Sequence, residues 1–328
     1  MTLLVAFLSW KFVESPFRNR GFIGKKAMFS FSVSGLILLS VIGVLGWKFS
    51  KEINPGIFHP ANASITFGEY VRDNKLLQKK SWGILRELSD NQSYGVKNND
   101  FDEKKWFVQP DKRRNILVVG NSHSKDVFNI LFNSETVQSK YQVARYGAQI
   151  SDLSSSYSLW NSPNYHASDY VIIASRINVN DVEKLKYVLD RIIQENKTPI
   201  VVKNIFEFSG EASGFSLIDV VVQNSFKSSM TLSGTVLRVN RAYFEYYLEE
   251  RDADKGSDIN KMVERISEAA GAKTLNRMDY VCNNETKICS AVEQNLSKNY
   301  YDRGHHTLSG AKFFSQRVDE IDWLKLGE

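Results

Sequence analysis

The sequence predicts an α/β protein: a doubly wound parallel sheet with helices on both faces, preceded by a transmembrane helix. Three observations predict it. From Asn115 onward, short apolar runs alternate with stretches of helical spacing, the pattern of strands joined by crossover helices. Those runs are continuous rather than alternating, as in strands covered on both faces. The segment 27–47, AMFSFSVSGLILLSVIGVLGW, holds no charged residue over 21 positions. At about 1.5 Å per residue, that is enough to cross a hydrocarbon core of about 30 Å.

The elements follow in order. NILVVG, 115–120, reads as the first strand, and SKDVFNILFN after it has helical spacing, with Val127, Ile130 and Leu131 on one face. YQVARYGA (141–148) is the second strand and YVIIAS (170–175) the third. DVEKLKYVLDRIIQEN is an amphipathic helix, and TPIVVKNIFEF (198–208) a fourth strand. Helices are expected near 239–251 and 257–270, a fifth strand in KTLNRMDYVC (273–282), and a closing helix in SGAKFFSQRVDEI. Residues 48–112 are polar and aromatic, punctuated by Pro55, Pro60 and Pro110. They read as an extension with short helices in ITFGEYVRDNKLL and KKSWGILREL, too long for a bare linker. The expected domains are therefore 1–26, 27–47, 48–112 and 113–328.

Charge sets the orientation and excludes one function class. The net charge of +5 sits in residues 1–50, which hold six basic residues and the single acid Glu14. The remainder balances 36 basic against 36 acidic residues, so no basic face for nucleic acid is implied. Arg18, Arg20, Lys25 and Lys26 precede the apolar run. The positive-inside rule puts that flank in the cytoplasm and everything after Trp47 outside the inner membrane. A buried core helix is the other reading of 27–47. Met1–Phe12 is also apolar but short. It reads as the end of another membrane helix, and the chain as a fragment or truncated copy of a longer membrane protein.

The chemistry concentrates in two motifs. Gly120-Asn121-Ser122-His123-Ser124 follows the first strand and opens the first helix. A serine on that turn is exposed at the sheet's carboxyl edge, where backbone amides can hold an oxyanion. Its other reading is a helix N-cap. Asp302-Arg303-Gly304-His305 lies near the C-terminus. An Asp and a His three apart can face one way, the acid fixing the imidazole while the imidazole takes a serine proton. Its other reading is a surface loop, and His306 is a competing neighbour. Cys282 and Cys289, the only cysteines, suit a small disulfide-closed hairpin in an oxidising compartment; two free thiols are the alternative. His59, His123 and His166 have no partners at metal spacing, so neither metal nor cofactor is expected. Tyr246-Tyr247 and the aromatics near Trp106-Phe107 read as packing.

A Gly-x-Ser turn after strand one and a late DxxH before the last helix resemble the SGNH (GDSL) hydrolase superfamily, a flavodoxin-like fold, over about 115–322. The order of pieces is closer still to SGNH domains fused behind acyltransferase-3 membrane domains. SWKFVESPFRNR resembles the end of the acyltransferase-3 core, and a two-cysteine hairpin before the DxxH is typical of those fusions. The resemblance implies Ser122 as nucleophile, His305 as general base and Asp302 as orienting acid. His305, Thr307 and Gly310 match the family's continuation better than a register on His306. The usual Gly-Asp-Ser is Gly-Asn-Ser here; that Asp is not the triad acid. Gly147 resembles the oxyanion glycine and also reads as a plain strand-end glycine. The oxyanion asparagine has no GxND counterpart; Asn178 and Asn180 in ASRINVND, or Arg176, are the candidates beside the Ser122 amide, and that half of the hole stays unassigned.

The implied activity is O-acetyl transfer to a cell-envelope glycan such as lipopolysaccharide O-antigen, in the bacterial periplasm. The implied partners are the glycan acceptor, the inner membrane and an acyltransferase-3 domain that supplies the acyl group. A periplasmic carbohydrate acetyl-esterase with the same triad is one alternative. An inactive remnant or binding module is the other.

Overall fold

The structure is a computed structural model that describes residues 33–37, 40–41, 69–88, 107, 111–208, 216–228, 230–253 and 255–326. Its contacts divide the chain into two units, 1–66 and 67–328. In the first, the described residues of the expected membrane segment are helical and exposed, Leu36 and Ile37 among them. The rest of 27–47 lies outside the described residues, as do 1–26. Among the described residues no helix is long and apolar enough to cross a membrane.

The second unit holds five parallel strands, β1 (Arg114–Gly120), β2 (Tyr141–Gly147), β3 (Tyr170–Ala174), β4 (Thr198–Val202) and β5 (Lys273–Leu275), in the order β2-β1-β3-β4-β5. Its helices include α1 (Asn74–Ser81), α2 (Ser122–Asn133), α3 (Val179–Gln194), α4 (Leu217–Lys227), α5 (Leu232–Glu250), α6 (Lys255–Ala270), α7 (Met278–Val281) and α8 (Leu308–Glu320); other short helices are left unnumbered. The chain winds outward from β1 to β2 in one direction and from β3 to β5 in the other. Right-handed crossovers then place the connecting helices on opposite faces. Accordingly α2 packs with α8, and α3 with α6. Both faces being covered, Ile116–Val119, Val171–Ile173 and Ile200–Val201 are fully buried, which is why these strands read as unbroken apolar runs.

Two expected strands are shorter than their sequence patterns. β4 ends at Val202 rather than 208, because Asn204 turns its amide to the Ile177 carbonyl (2.8 Å) and its backbone N–H to Asn260 (2.7 Å). β5 ends at Leu275 rather than 282. There the Asn276 side chain accepts from the Met278 amide (3.0 Å) and starts α7. Beyond it, Cys282 and Cys289 face each other across a two-stranded antiparallel hairpin and form a disulfide, with Cα atoms 4.0 Å apart.

Part of the region before residue 112 is built into this unit. Ser81, at the end of α1, accepts from Lys125 Nζ (3.0 Å) at its hydroxyl and from Asn129 Nδ2 (2.7 Å) at its carbonyl. Asn74 meets Lys298 Nζ (2.8 Å) and Asp219 (3.1 Å). Tyr70 donates to the same Asp219, whose carboxylate receives Lys298 Nζ at 2.5 Å. Burial works to raise the Asp219 carboxyl, and the Lys298 ammonium outweighs it, holding the group below the ordinary carboxylate range.

Candidate active site

The sheet's carboxyl edge is where the two motifs meet. β1 ends at Gly120, with φ +156°. A Cβ there would stand 2.0 Å from the Ala174 carbonyl of β3, so only glycine lets the two strands close up at the point where the winding reverses. Asn121 then caps α2: its Oδ1 accepts from the amides of His123 (3.2 Å) and Arg176 (3.0 Å). Its Nδ2 donates to Gln149 Oε1 (3.2 Å) and the Arg176 carbonyl (3.3 Å). One side chain thus ties the β1, β2 and β3 loops together. Buried Arg145, from β2, adds hydrogen bonds to Ser124 Oγ (2.7 Å) and the Asn121 carbonyl (3.0 Å).

With Asn121 as the cap, Ser122 is the first helical residue and its hydroxyl is turned elsewhere. Ser122 Oγ lies 2.8 Å from His305 Nε2, and His305 Nδ1 lies 2.8 Å from Asp302 Oδ2. The spacing of three works because Asp302 folds its own loop. Its Oδ1 accepts from the amides of Gly304 (3.0 Å) and His305 (2.8 Å), leaving Oδ2 for the ring. The Arg303 carbonyl is held by the Phe208 amide (2.9 Å). Burial works to raise the Asp302 carboxyl; the hydrogen bonds from the His305 ring and the two amides outweigh it and hold the group below the ordinary carboxylate range. An ionised Asp302 can only accept, so Nδ1 carries the ring proton and Nε2 is free to accept from Ser122.

The His305 ring is clamped by aromatic neighbours. His123 stacks on it with centroids 4.2 Å apart and planes at 25°; Tyr301 stacks at 5.5 Å and 9°. Beneath lies a buried charged cluster. Lys125 Nζ meets Asp126 Oδ1 (2.7 Å), both side chains fully buried. Arg277 Nη2 stands 3.6 Å from Asp126 Oδ2, and Arg277 Nη1 lies 3.0 Å from His123 Nδ1. Burial lowers the Lys125 ammonium, opposed by Asp126. His306 is wholly buried against Tyr300, Tyr280 and Phe314; it points away from the Ser122 turn into the core.

The remaining expected residues are placed as follows. Gly147 ends β2 in register with Gly120, at the same edge as Ser122. Asn178 instead caps α3: its Oδ1 accepts from the amides of Asn180 (2.9 Å) and Asp181 (3.2 Å), in a capping box with Asp181. The Arg176 guanidinium pairs with Glu207 (2.6 Å). Both line a cleft of about 300 Å³ formed by the segments that follow β3 and β4 and by the first turns of α6. Among the described residues His123, Asp126 and His305 form the one group of metal-ligand type. Asp126 stands between two cations there, His123 Nδ1 faces a guanidinium, and both His305 nitrogens are engaged. Such an arrangement does not fit a cation. Asn121 and His123 were read from sequence as members of the turn motif with no role of their own, and Arg277 was not singled out. Only the polar Asn before the helix carried a legible signal, as an N-cap residue.

A family model described as an SGNH domain fused to AT3 domains matches residues 91–320. The chain belongs to that SGNH family. Among solved structures it resembles the periplasmic domain of a lipopolysaccharide acetyltransferase from Salmonella serovar Paratyphi A (14% identity, 74% of this chain and 96% of that one, TM-score 0.46). It also resembles an acetyl xylan esterase (10%, 63% and 98%, TM-score 0.35). A third is a GDSL-like lipase from Bacteroides thetaiotaomicron (13%, 67% and 93%, TM-score 0.36). No curated protein sequence matches the chain.

Proposed function

We propose that this SGNH domain is an O-acyltransferase that moves an acetyl group to a hydroxyl of a cell-envelope glycan through an acetyl-Ser122 intermediate. The observation that carries the reading is the continuous line Ser122 Oγ–His305–Asp302 at the carboxyl edge, with both links at 2.8 Å. Ser122 Oγ attacks the acyl carbonyl of the donor and its proton passes to His305 Nε2. The tetrahedral intermediate expels the donor's leaving group, which takes that proton. In the second half a sugar hydroxyl gives its proton to His305, attacks the acetyl-serine and releases Ser122, which recovers the proton. The Ser122 amide, at the positive end of α2, is our candidate for the transient oxyanion, with Gly147 beside it at the sheet edge. Arg176 and Glu207 in the neighbouring cleft offer a donor and an acceptor to sugar hydroxyls.

The family's association with AT3 domains supports an acyltransferase-3 membrane domain as the source of the acetyl group. We infer also that 27–47 crosses the inner membrane and holds 51–328 in the periplasm; the uncharged run and the basic residues before it support this. Protease added to spheroplasts should then digest the large domain, and its survival until permeabilisation would reverse the orientation.

The functional reading is tested with the intact chain, a chromogenic acetyl ester and O-deacetylated envelope polysaccharide. Turnover that rises with the polysaccharide, with acetyl found on sugar, supports transfer. Turnover indifferent to it, yielding acetate alone, makes the protein an esterase. Absence of turnover in the parent and in Ser122→Ala alike rejects the enzymatic reading.

A further inference from the structure

We propose that His123 is the positioning residue of the base: a ring, fixed by Arg277, on which the His305 imidazole lies so that Nε2 stays aimed at Ser122. The proposal rests on His305 being the base. The bonds to Asp302 and Ser122 fix how the His305 ring is turned within its own plane. They do not fix its tilt, and the side chain is 19% exposed. The tilt is set by the stacked rings, His123 at 4.2 Å and Tyr301 at 5.5 Å. His123 is itself buried, on the second residue of α2, directly after Ser122. The helix that carries the serine therefore also carries the surface against which its base rests.

Arg277 gives this surface its electrical character. A guanidinium only donates, so the 3.0 Å contact makes His123 Nδ1 an acceptor and leaves the proton on Nε2. Arg277 is in turn anchored by the Tyr280 hydroxyl (3.0 Å) and faces Asp126. Burial first, then the nearby His305 and Arg277, push His123 well below the ordinary imidazole range. It thus remains neutral when His305 becomes an imidazolium in each half of the transfer. A neutral aromatic face favours that cation, whereas a second imidazolium 4.2 Å away would oppose it. Other groups facing the two rings are few among the described residues. Ser122 and Asp302 bond His305; Tyr301, a phenol that burial keeps protonated, stacks on it. Lys125 and His306 stand behind; Glu207 packs its side-chain stem near Gly304 and turns its carboxylate to Arg176.

The test is steady-state kinetics of the intact chain on p-nitrophenyl acetate across pH, with five variants beside the parent. His123→Ala should lower kcat by about 10- to 100-fold, as a misplaced reacting group does, with KM within about twofold of the parent. His123→Phe, which restores a ring, should recover most of that loss. In Arg277→Met, His123 is free to take a proton, and the acid limb of kcat/KM should move to higher pH. Adding His123→Phe to that variant should return the limb to its parent position. Parent-like kcat in His123→Ala, or an acid limb unmoved in Arg277→Met, overturns the proposal. His305→Ala separates this from the broader reading. If that variant keeps its turnover the functional reading fails, whereas a dead His305→Ala beside a fully active His123→Ala removes only the positioning role. Should His123→Phe not fold, the acid limb of Arg277→Met still decides.

Discussion

Replacing Gly120 with alanine should separate β1 from β3 at the centre of the sheet. The added methyl would stand 2.0 Å from the Ala174 carbonyl oxygen and 2.7 Å from its carbon, backbone atoms of a fully buried strand with no freedom to swing away. Overpacking of this kind costs about 1–3 kcal/mol or more. The backbone at φ +156° adds strain of about 1–3 kcal/mol. A total of about 2–6 kcal/mol is a large part of a stability that for most domains is about 5–15 kcal/mol. Gly271 is the internal control. Its φ is +76°, at the end of α6, and a Cβ there meets nothing within 4 Å. Gly271→Ala should therefore lose only the backbone contribution, about 1 kcal/mol. Urea denaturation followed by circular dichroism measures both; the midpoints should fall in that order with the slope unchanged. Because Gly120 lies two residues before Ser122, ester turnover should fall with stability in the first variant and hold in the second. Equal losses in the two, or a loss under about 1 kcal/mol in Gly120→Ala, would refute the argument that close approach of β3 dictates this glycine.

Other outcomes follow from the same geometry. Ser122→Ala and His305→Ala should each remove nearly all ester turnover, because the groups act as a unit, while Asp302→Asn should cost less. His306→Phe should keep activity, since the ring lies in the core and not at the turn; loss there with an active His305→Ala would shift the register by one. Burial first, then the charge of Arg277, pushes His306 well below the ordinary imidazole range, and His123 is lowered likewise by burial and by His305. Groups depressed in the fold stabilise it fully above the unfolded value of about 6.5, and that contribution is lost as pH falls below it. Denaturation midpoints should thus decline from pH 7 toward pH 5 by up to about 1.4 kcal/mol per pH unit per ring, and His306→Phe should flatten the decline. Reducing the Cys282–Cys289 bond, whose loop spans a separation of only 7 residues, should cost at most about 2–3 kcal/mol and leave ester turnover in place.

Much of the fold was written in its apolar runs. NILVVG and YVIIAS are covered on both sides, so burial leaves no polar position to break the pattern. The ends of β4 and β5 were not legible. Asn204 and Asn276 stop those strands through partners distant in sequence or through a local turn that competes with pairing. The site was legible as an order of motifs, because a serine at a β-to-α turn and a DxxH loop carry their own backbone chemistry. Its floor was not. Lys125 and Asp126 carry charge next to the apolar face of Val127, Ile130 and Leu131, yet both are fully buried, since α8 and the end of α1 cover that side. Asn178 looked available beside the turn and is taken by the capping box of α3. A single sequence shows a charged residue; whether it meets water or an opposite charge depends on elements it has not yet placed.

The central claim is that Ser122 carries the acyl group, and the most direct test looks for it there. The intact chain is mixed with excess p-nitrophenyl acetate, quenched in acid within the first turnovers, digested, and the peptide containing Ser122 weighed by mass spectrometry. The account predicts one acetyl group on Ser122 in the parent, enriched when no glycan acceptor is present and discharged when one is added. It predicts none in Ser122→Ala or His305→Ala. Rapid ester turnover in the parent with Ser122 unmodified at every quench time, and undiminished turnover in Ser122→Ala, would contradict it.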